Sequence, residues 1–313
     1  MNKNTIWQET KNCKTCKTEY KANITSFINT RSYDLSGGLC PDCRAKKLSD
    51  YQNKTEALRQ AQIVITRKRW NNASGIPAKY IQEDFASFVV KSGNNNLGKI
   101  KQRCMDYANN FPVPYRDYIK ASHKAYPSLI LMSYKDDVSD ECGVGKTHLV
   151  CSIAHAIYNR WDGQGLSPTD YGAGDALPMN WTTPANPVSF ISEPELYAKI
   201  KETYSFTPEE KRLRESETDI INRMIGVDLL ILDDVGKDKK ADLTFVRRIL
   251  FAIINGRYNK LRPIIMTTNL DNNQLQEYMT GDSTDASYDR LREMCNSNQI
   301  RIKGKSHRVK EMN

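Results

Sequence analysis

The chain has 313 residues, of which 27% are charged and 39% hydrophobic, and its formal net charge is +9. This length accommodates a small module together with one larger globular domain. No apolar run approaches the roughly 18 residues that a membrane-spanning helix needs, and no secretory signal is recognisable. We therefore expect a cytoplasmic protein without a membrane partner.

The amino-terminal segment contains two Cys-x-x-Cys pairs separated by 23 residues: Cys13, Cys16, Cys40 and Cys43. Each pair can offer two thiolates to one tetrahedral Zn²⁺, and Gly37-Gly38 permits a tight turn before the second pair. Disulfide bonds are one alternative and a thioredoxin-like redox pair is another. The reducing cytosol and the two-pair spacing favour zinc. We predict a four-cysteine zinc ribbon over residues 1–47.

Positive charge is concentrated in the same region. Residues 1–70 contain 14 Lys and Arg against 6 Asp and Glu. Lysines give salt-dependent binding to phosphates, and interleaved aromatic side chains can stack on the bases of a single strand. The aromatic residues here are Trp7, Tyr20, Phe27 and Tyr33. Alternatively, these rings form a small core around zinc and the lysines only keep the module soluble.

Residues Leu48 to Trp70 place apolar side chains at helical spacing, including Leu58, Val64 and Ile65. This pattern predicts a connecting helix over residues 48–72, followed by the larger domain over residues 73–313.

The most informative motif lies between the apolar run Ser128–Met132 and a helical pattern that begins at Leu149. It consists of Gly143, Val144, Gly145, Lys146, Thr147 and His148. In such a loop the backbone N–H groups surround phosphates, the lysine reaches the β and γ oxygens, and the threonine hydroxyl ligates Mg²⁺. The motif predicts an ATP site. Asp140 stands where the full pattern has glycine, which predicts either weaker nucleotide binding or a loop that turns away from the phosphates.

Two further strands are predicted to end at the same site. The segment Val227–Asp234 contains four consecutive apolar residues and ends in Asp233 and Asp234, as in a central strand that places a Mg²⁺ ligand and a water-positioning carboxylate at its carboxyl end. The run Pro263–Met266 is followed by Asn269, which could sense the γ-phosphate or simply cap the next helix. Between these motifs and the phosphate loop, the polar stretch Trp161–Pro187 predicts a surface loop.

Arginines follow in a predicted helix that begins near Tyr288. Arg290 could serve as an arginine finger supplied by a neighbouring subunit, with Arg292 and Arg308 as other candidates, or the helix could present only a solvated basic face. The basic ending Arg301–Lys310 could contact DNA or be solvated.

Taken together, these motifs resemble the DnaC/IstB-like branch of the AAA+ ATPases, and more particularly the DnaC-type helicase loaders. The resemblance covers residues 73–309 and rests on Gly75–Tyr80, GVGKTHL, Phe190–Leu196, LLILDDVGK, Phe251–Tyr258, TTNL and Asp289–Leu291. It implies an α/β fold with a central parallel sheet flanked by helices. It also implies that Lys146 and Thr147 bind ATP and Mg²⁺, Asp233 holds the metal and Asp234 positions water. Asn269 would be the sensor and Arg290 the finger.

The resemblance further implies an ATP-dependent DNA replication protein that loads a hexameric, DnaB-type replicative helicase onto DNA. Single-stranded DNA is the favoured substrate, and a homo-oligomer is expected to form on ATP and DNA binding. The amino-terminal region would grip the helicase. Two alternatives remain: an IstB-type transposition helper that assembles on duplex DNA, and a non-hydrolysing, zinc-dependent DNA-binding regulator.

Overall fold

The computed structural model describes residues 6–26, 32–90, 95–136, 142–169, 177, 180–238, 242–281, 286–304 and 306. Phe27, Asp140 and Arg308, which the sequence singled out, lie outside the described residues. The chain divides into two compact units, one formed by Met1–Val64 with Leu166–Thr183 and the other by Ile65–Gly165 with Pro184–Asn313. The domain boundaries at residues 47 and 72 remain a prediction.

The strands and helices follow one another along the chain. The first are β1 (Ile6–Asn12), β2 (Glu19–Ser26), β3 (Ser32–Asp34), α1 (Pro41–Ala73), α2 (Asn95–Asn110), α3 (Tyr115–Ser122), β4 (Leu129–Met132) and α4 (Lys146–Arg160). They are followed by β5 (Ser167–Pro168), β6 (Trp181–Thr182), β7 (Val188–Ser192), α5 (Glu193–Glu202), α6 (Glu210–Leu213), α7 (Glu217–Gly226) and β8 (Leu229–Val235). The last are α8 (Leu243–Asn259), β9 (Ile264–Thr268), α9 (Asn272–Thr280), α10 (Ser287–Cys295) and β10 (Gln299–Arg301).

In the first unit, β1, β2 and β3 form an antiparallel sheet in that order. Alternate side chains of β2 point to one face, so Tyr20, Ala22 and Ile24 are buried together with Cys13 and Cys40. This core is very small. A module with so few apolar side chains depends on a further stabilising element, such as a bound metal.

The predicted connecting helix is longer than the sequence suggested. Helix α1 begins at Pro41, a residue favoured in the first helical turn, and it ends at Ala73. The chain leaves it through Gly75, whose φ is +85°, and a side-chain Cβ there would lie 2.1 Å from the Phe190 carbonyl oxygen. The Phe190 N–H donates to the Ser74 carbonyl at 2.7 Å, which fixes this exit beside β7.

The second unit is built on a five-stranded parallel sheet with the order β10-β4-β9-β8-β7. The central strands β4, β8 and β9 are almost entirely buried, because helices cover both faces of a parallel sheet. Apolar side chains of α5, α7, α8, α9 and α10 pack into one core with these strands. The predicted α/β architecture, a central parallel sheet flanked by helices, is confirmed.

The described part of the polar stretch Trp161–Pro187 contains two short strands in addition to loop. Strands β5 and β6 pair antiparallel, Ser167 with Thr182 and Pro168 with Trp181. A strand pair this short gives almost no periodic sequence signal, so the sequence predicted a loop. Within the described ranges, no helix combines the length and apolarity required to cross a membrane.

Candidate nucleotide and zinc sites

The predicted nucleotide-site residues converge because their strands are neighbours in the sheet. The phosphate loop follows β4, Asp233 and Asp234 end β8, and Asn269 follows β9. Parallel strands present their carboxyl ends at one edge, where open α/β sheets bind ligands. Segments that are far apart in the sequence therefore meet at one place.

The phosphate loop has the backbone that its glycines permit. Gly143 and Gly145 have φ values of +79° and +97°, in the left-handed region that favours glycine. Helix α4 begins immediately afterwards, at Lys146, so its N-terminal N–H groups and dipole are available to an anion. A Cβ at Gly145 would lie 2.5 Å from Cε2 of Phe88. This glycine is therefore required both for backbone conformation and for space.

Lys146 is nearly buried, with 6% of its surface exposed. Its Nζ donates to Ser133 Oγ and to Asn269 Oδ1, both at 2.5 Å. The predicted phosphate lysine and the predicted sensor are thus in direct contact. Asn269 is not the cap of the following helix, because Asp271 occupies that position and accepts from the Gln274 N–H. Helix capping therefore does not explain Asn269.

Asp233 lies at the base of the site and is buried. Thr147 Oγ1 donates to its Oδ2 at 3.0 Å, and Thr267 Oγ1 donates to its Oδ1 at 2.6 Å. Burial raises the pKa of this carboxyl above its ordinary value, although the Thr267 hydrogen bond opposes the shift. A threonine hydroxyl beside a carboxylate is a set of hard oxygen ligands, which fits Mg²⁺.

Asp234 is oriented by an unusual backbone. Its φ is +59°, a left-handed value that aspartate tolerates better than most residues, and its N–H donates to Thr267 Oγ1 at 2.9 Å. The pairing of β8 with β9 is irregular between Leu232 and Val235. At this irregularity the two adjacent carboxylates have different surroundings: Asp233 is buried, and Asp234 lines the cavity described next.

A cavity of about 340 Å³ lies beside these groups. It is lined by Lys79, Tyr80, Glu83, Ser87, Phe88, Val89, Cys142, Gly143, Gly145, Lys146, Thr147, His148, Asp234, Lys237 and Asn269. Val144 is buried and is not among them. His148, in the first turn of α4, contacts the segment that precedes α2. Its Nε2 lies 2.9 Å from the Asp84 carbonyl oxygen and 3.2 Å from Ser87 Oγ.

The predicted finger residue does not line this cavity. The Arg290 guanidinium lies 5.8 Å from the ring centre of Phe251 and 5.9 Å from that of Tyr258. Arg292 lies over Tyr288, at 5.8 Å. Contact of Arg290 with the site of a neighbouring subunit stays a prediction, as do the roles assigned to the other site residues.

The four predicted zinc ligands form one cluster. All four Sγ atoms lie within 4.8 Å of one another, and those of Cys16 and Cys40 are 3.6 Å apart. Zinc–sulfur bonds of about 2.3 Å in a tetrahedron place sulfurs about 3.8 Å apart, so the cluster fits Zn²⁺. Cys13 and Cys16 occupy the turn between β1 and β2, while Cys40 precedes α1 and Cys43 lies in its first turn. Hydrogen bonds from the backbone of Cys16 and Cys40 lower the pKa of the Cys13 thiol to about 6, which favours the thiolate.

Three residues beside the nucleotide site received no role from the sequence. Ser133 holds Lys146, Lys237 pairs with Asp234, and Glu193 binds the backbone of the turn after β8. Ser133 and Lys237 do lie just beyond buried strands, where site residues are expected. Nothing in the sequence around Glu193 indicates burial, because it is a charged residue in the first turn of α5, beside Ser192 and Pro194.

Comparison with known protein families gives a match to one family over part of the chain. Residues 208–313 match the model of the family described as IstB-like ATP binding protein, which confirms the predicted resemblance over the part containing Asp233, Asp234, Asn269 and Arg290. The phosphate loop lies outside this match. No curated protein gives a significant sequence match.

Several solved structures are similar to the chain. The DnaC helicase loader has 19% identity and a TM-score of 0.48, over 72% of this chain and 100% of the other. DnaI has 17% identity and a TM-score of 0.44, over 72% and 93%. AMPPCP-bound DnaA from Aquifex aeolicus has 17% identity and a TM-score of 0.40, over 72% and 51%. Similarity at this level does not identify a function.

Proposed function

We propose that this protein is an ATP-dependent DNA replication protein that hydrolyses ATP with Mg²⁺ and loads a hexameric replicative helicase onto DNA in the cytoplasm. The observation that carries the enzymatic part is the meeting of Lys146, the Thr147–Asp233 pair and Asp234 at one cavity. An ATPase needs these groups together: a cation for the phosphates, oxygen ligands for Mg²⁺, and a carboxylate facing the attacking water.

Each group has a distinct task in this proposal. Lys146 and the N-terminus of α4 neutralise phosphate charge, while Thr147 and Asp233 would hold Mg²⁺, whose charge would polarise the terminal phosphate. Asp234 accepts a hydrogen bond from the attacking water. Asn269, which accepts a hydrogen bond from Lys146, senses whether a γ-phosphate is present. The rings of Tyr80 and Phe88 supply apolar surface for the base.

The role in DNA and helicase binding is supported by the amino-terminal residues. Residues 1–70 have a surplus of eight positive charges, which accounts for most of the chain's formal net charge of +9. Tyr33 is 52% exposed, whereas Tyr20 belongs to the small core. We assign single-stranded DNA and helicase contact to this region, and we expect ATP and DNA to promote a homo-oligomer in which Arg290 reaches a neighbouring site. If the bound nucleotide controls these contacts, the ATP-bound and ADP-bound states must differ in their affinity for DNA or for the helicase.

The enzymatic part is tested by phosphate release with and without DNA. Asp234→Asn should still bind ATP but hydrolyse it roughly 10²-fold more slowly, since it loses a base while its size is kept. Lys146→Ala should lose nucleotide binding. The matched control is Asp117→Asn, an exposed aspartate of α3 that should retain the wild-type rate. An Asp234→Asn enzyme with the wild-type rate would refute the assignment of Asp234.

The loading function is tested by capture of a purified DnaB-type helicase on the tagged protein with ATP, using Lys146→Ala and Cys40→Ser as controls. Capture that requires both residues supports the loader. The family model is described as IstB-like, which favours a transposition helper as the second candidate. Failure to capture helicase, together with ATP-dependent assembly on duplex DNA, would select that candidate. DNA binding without ATP hydrolysis would select a zinc-dependent regulator.

A further inference from the structure

Lys237 is placed in the nucleotide cavity by a turn of defined geometry. The turn follows β8, and its Gly236 has a φ of +77°. A Cβ at Gly236 would lie 2.4 Å from Leu270 Cδ1, so a larger residue would require either the Leu270 side chain or the turn to shift. The Gly236 N–H donates to Oε2 of the buried Glu193 at 2.8 Å. These constraints direct the chain back toward the cavity, where Lys237 joins the lining.

In this position Lys237 pairs with the carboxylate to which we assign water positioning. Its Nζ lies 2.5 Å from Asp234 Oδ2. The Lys237 side chain is 55% exposed, whereas that of Asp234 is 24% exposed. An ion pair this open to solvent is weak, so a stronger anion entering the same cavity can compete for the lysine. The buried Lys146 differs, since Ser133 and Asn269 hold it in place.

We propose that Lys237 is a second phosphate-binding lysine, specific for the terminal phosphate of a nucleoside triphosphate. This inference rests on the proposed ATPase function. When a triphosphate binds, Lys237 leaves Asp234 for a γ-phosphate oxygen, and the released carboxylate can accept a hydrogen bond from water. With a diphosphate, no competing anion is present at that position and the Lys237–Asp234 pair persists. Lys237 thereby discriminates between the two nucleotide states.

The exchange predicts a selective change in binding affinity. Lys237→Gln removes the charge but keeps a side chain of similar length. It should weaken binding of the non-hydrolysable triphosphate AMP-PNP about tenfold, equivalent to about 1.4 kcal/mol. ADP affinity should stay within about twofold of wild type. The effect on AMP-PNP is moderate because the lysine gives up one charge-assisted bond to make another. Lys237→Arg, which keeps the charge, should restore most of the AMP-PNP affinity.

The experiment is equilibrium displacement of a fluorescent ADP from the full-length protein with Mg²⁺, by unlabelled ADP and by AMP-PNP. The matched control is Lys199→Gln, because Lys199 forms a similarly exposed pair, 2.8 Å from Glu195, and does not line the cavity. Circular dichroism checks that each variant is folded. An unchanged AMP-PNP to ADP affinity ratio in Lys237→Gln overturns the inference, even if both nucleotides bind more weakly. If the wild-type protein binds neither nucleotide, the proposed ATPase function itself is wrong.

Discussion

The carboxyl group of Glu193, which accepts a hydrogen bond from the turn after β8, predicts how the free energy of unfolding depends on pH. Its side chain is fully buried. Oε1 accepts from the Tyr197 hydroxyl at 2.8 Å, and Oε2 accepts from the Gly236 N–H at 2.8 Å and from the Tyr278 hydroxyl at 3.1 Å. Burial raises the pKa of this carboxyl from 4.5 to about 7, and the negative charge of Asp238 adds to the shift.

The sign of the pH effect follows from this raised pKa. Between pH 4.5 and 7 the folded protein keeps a proton that the unfolded chain releases, so the free energy of unfolding falls as the pH rises. At about 1.4 kcal/mol per pH unit, the full effect is about 3 kcal/mol, of which about 2 kcal/mol falls between about pH 5 and pH 7.5. Glu193→Gln cannot ionise and should lack this component.

The assay is urea unfolding of the wild-type protein and of Glu193→Gln at several values between about pH 5 and pH 7.5. The difference between the two unfolding free energies should shift by about 2 kcal/mol in favour of the variant as the pH rises. Glu195→Gln is the matched control, because Glu195 lies in the same helical turn but is exposed and paired with Lys199. Parallel curves for the wild type and Glu193→Gln would refute the assignment of a buried, proton-binding carboxyl.

Two other predictions concern the zinc module and the phosphate loop. Removal of zinc with a chelator should abolish amide-exchange protection in β1 and β2, because structural zinc supplies about 10–16 kcal/mol and the module has few apolar side chains. Zinc analysis should find one ion per wild-type chain and per Cys142→Ser chain but none in Cys40→Ser, and retained protection after chelation would contradict a structural metal. Gly145→Ala should weaken nucleotide binding at least tenfold and destabilise the fold by about 1–3 kcal/mol, since its Cβ would meet Phe88 and its φ is positive. Displacement of fluorescent ADP and urea unfolding measure both effects, and wild-type values for Gly145→Ala would show that the loop tolerates a Cβ.

Sequence patterns predicted the central elements of the fold because their signals are local. The run that became β8 is apolar at four consecutive positions, which indicates a strand buried on both faces. The turn before α4 needs glycine, and its motif is contiguous. The zinc cluster was also predictable, since each Cys-x-x-Cys pair forms its half of the site within four residues.

Burial on helices was less predictable, as α1 illustrates. The sequence showed apolar residues at Leu58, Val64 and Ile65, but these side chains are exposed to between 37% and 62%. Ile63 and Trp70 are buried instead. Helical periodicity identifies a helix, but neighbouring elements determine which face is covered.

The sequence alone determined the chain order of the central strands β4, β8 and β9 and the residues at their carboxyl ends, because hydrophobic runs and glycine turns act over a few residues. Only the tertiary structure decided which distant side chains complete the site. Phe88 excludes a side chain at Gly145, Ser133 holds Lys146, and Glu193 fixes the turn that carries Lys237. These contacts arise because a parallel sheet brings distant loops to one edge, and their partners are set by packing in three dimensions rather than by spacing in the sequence.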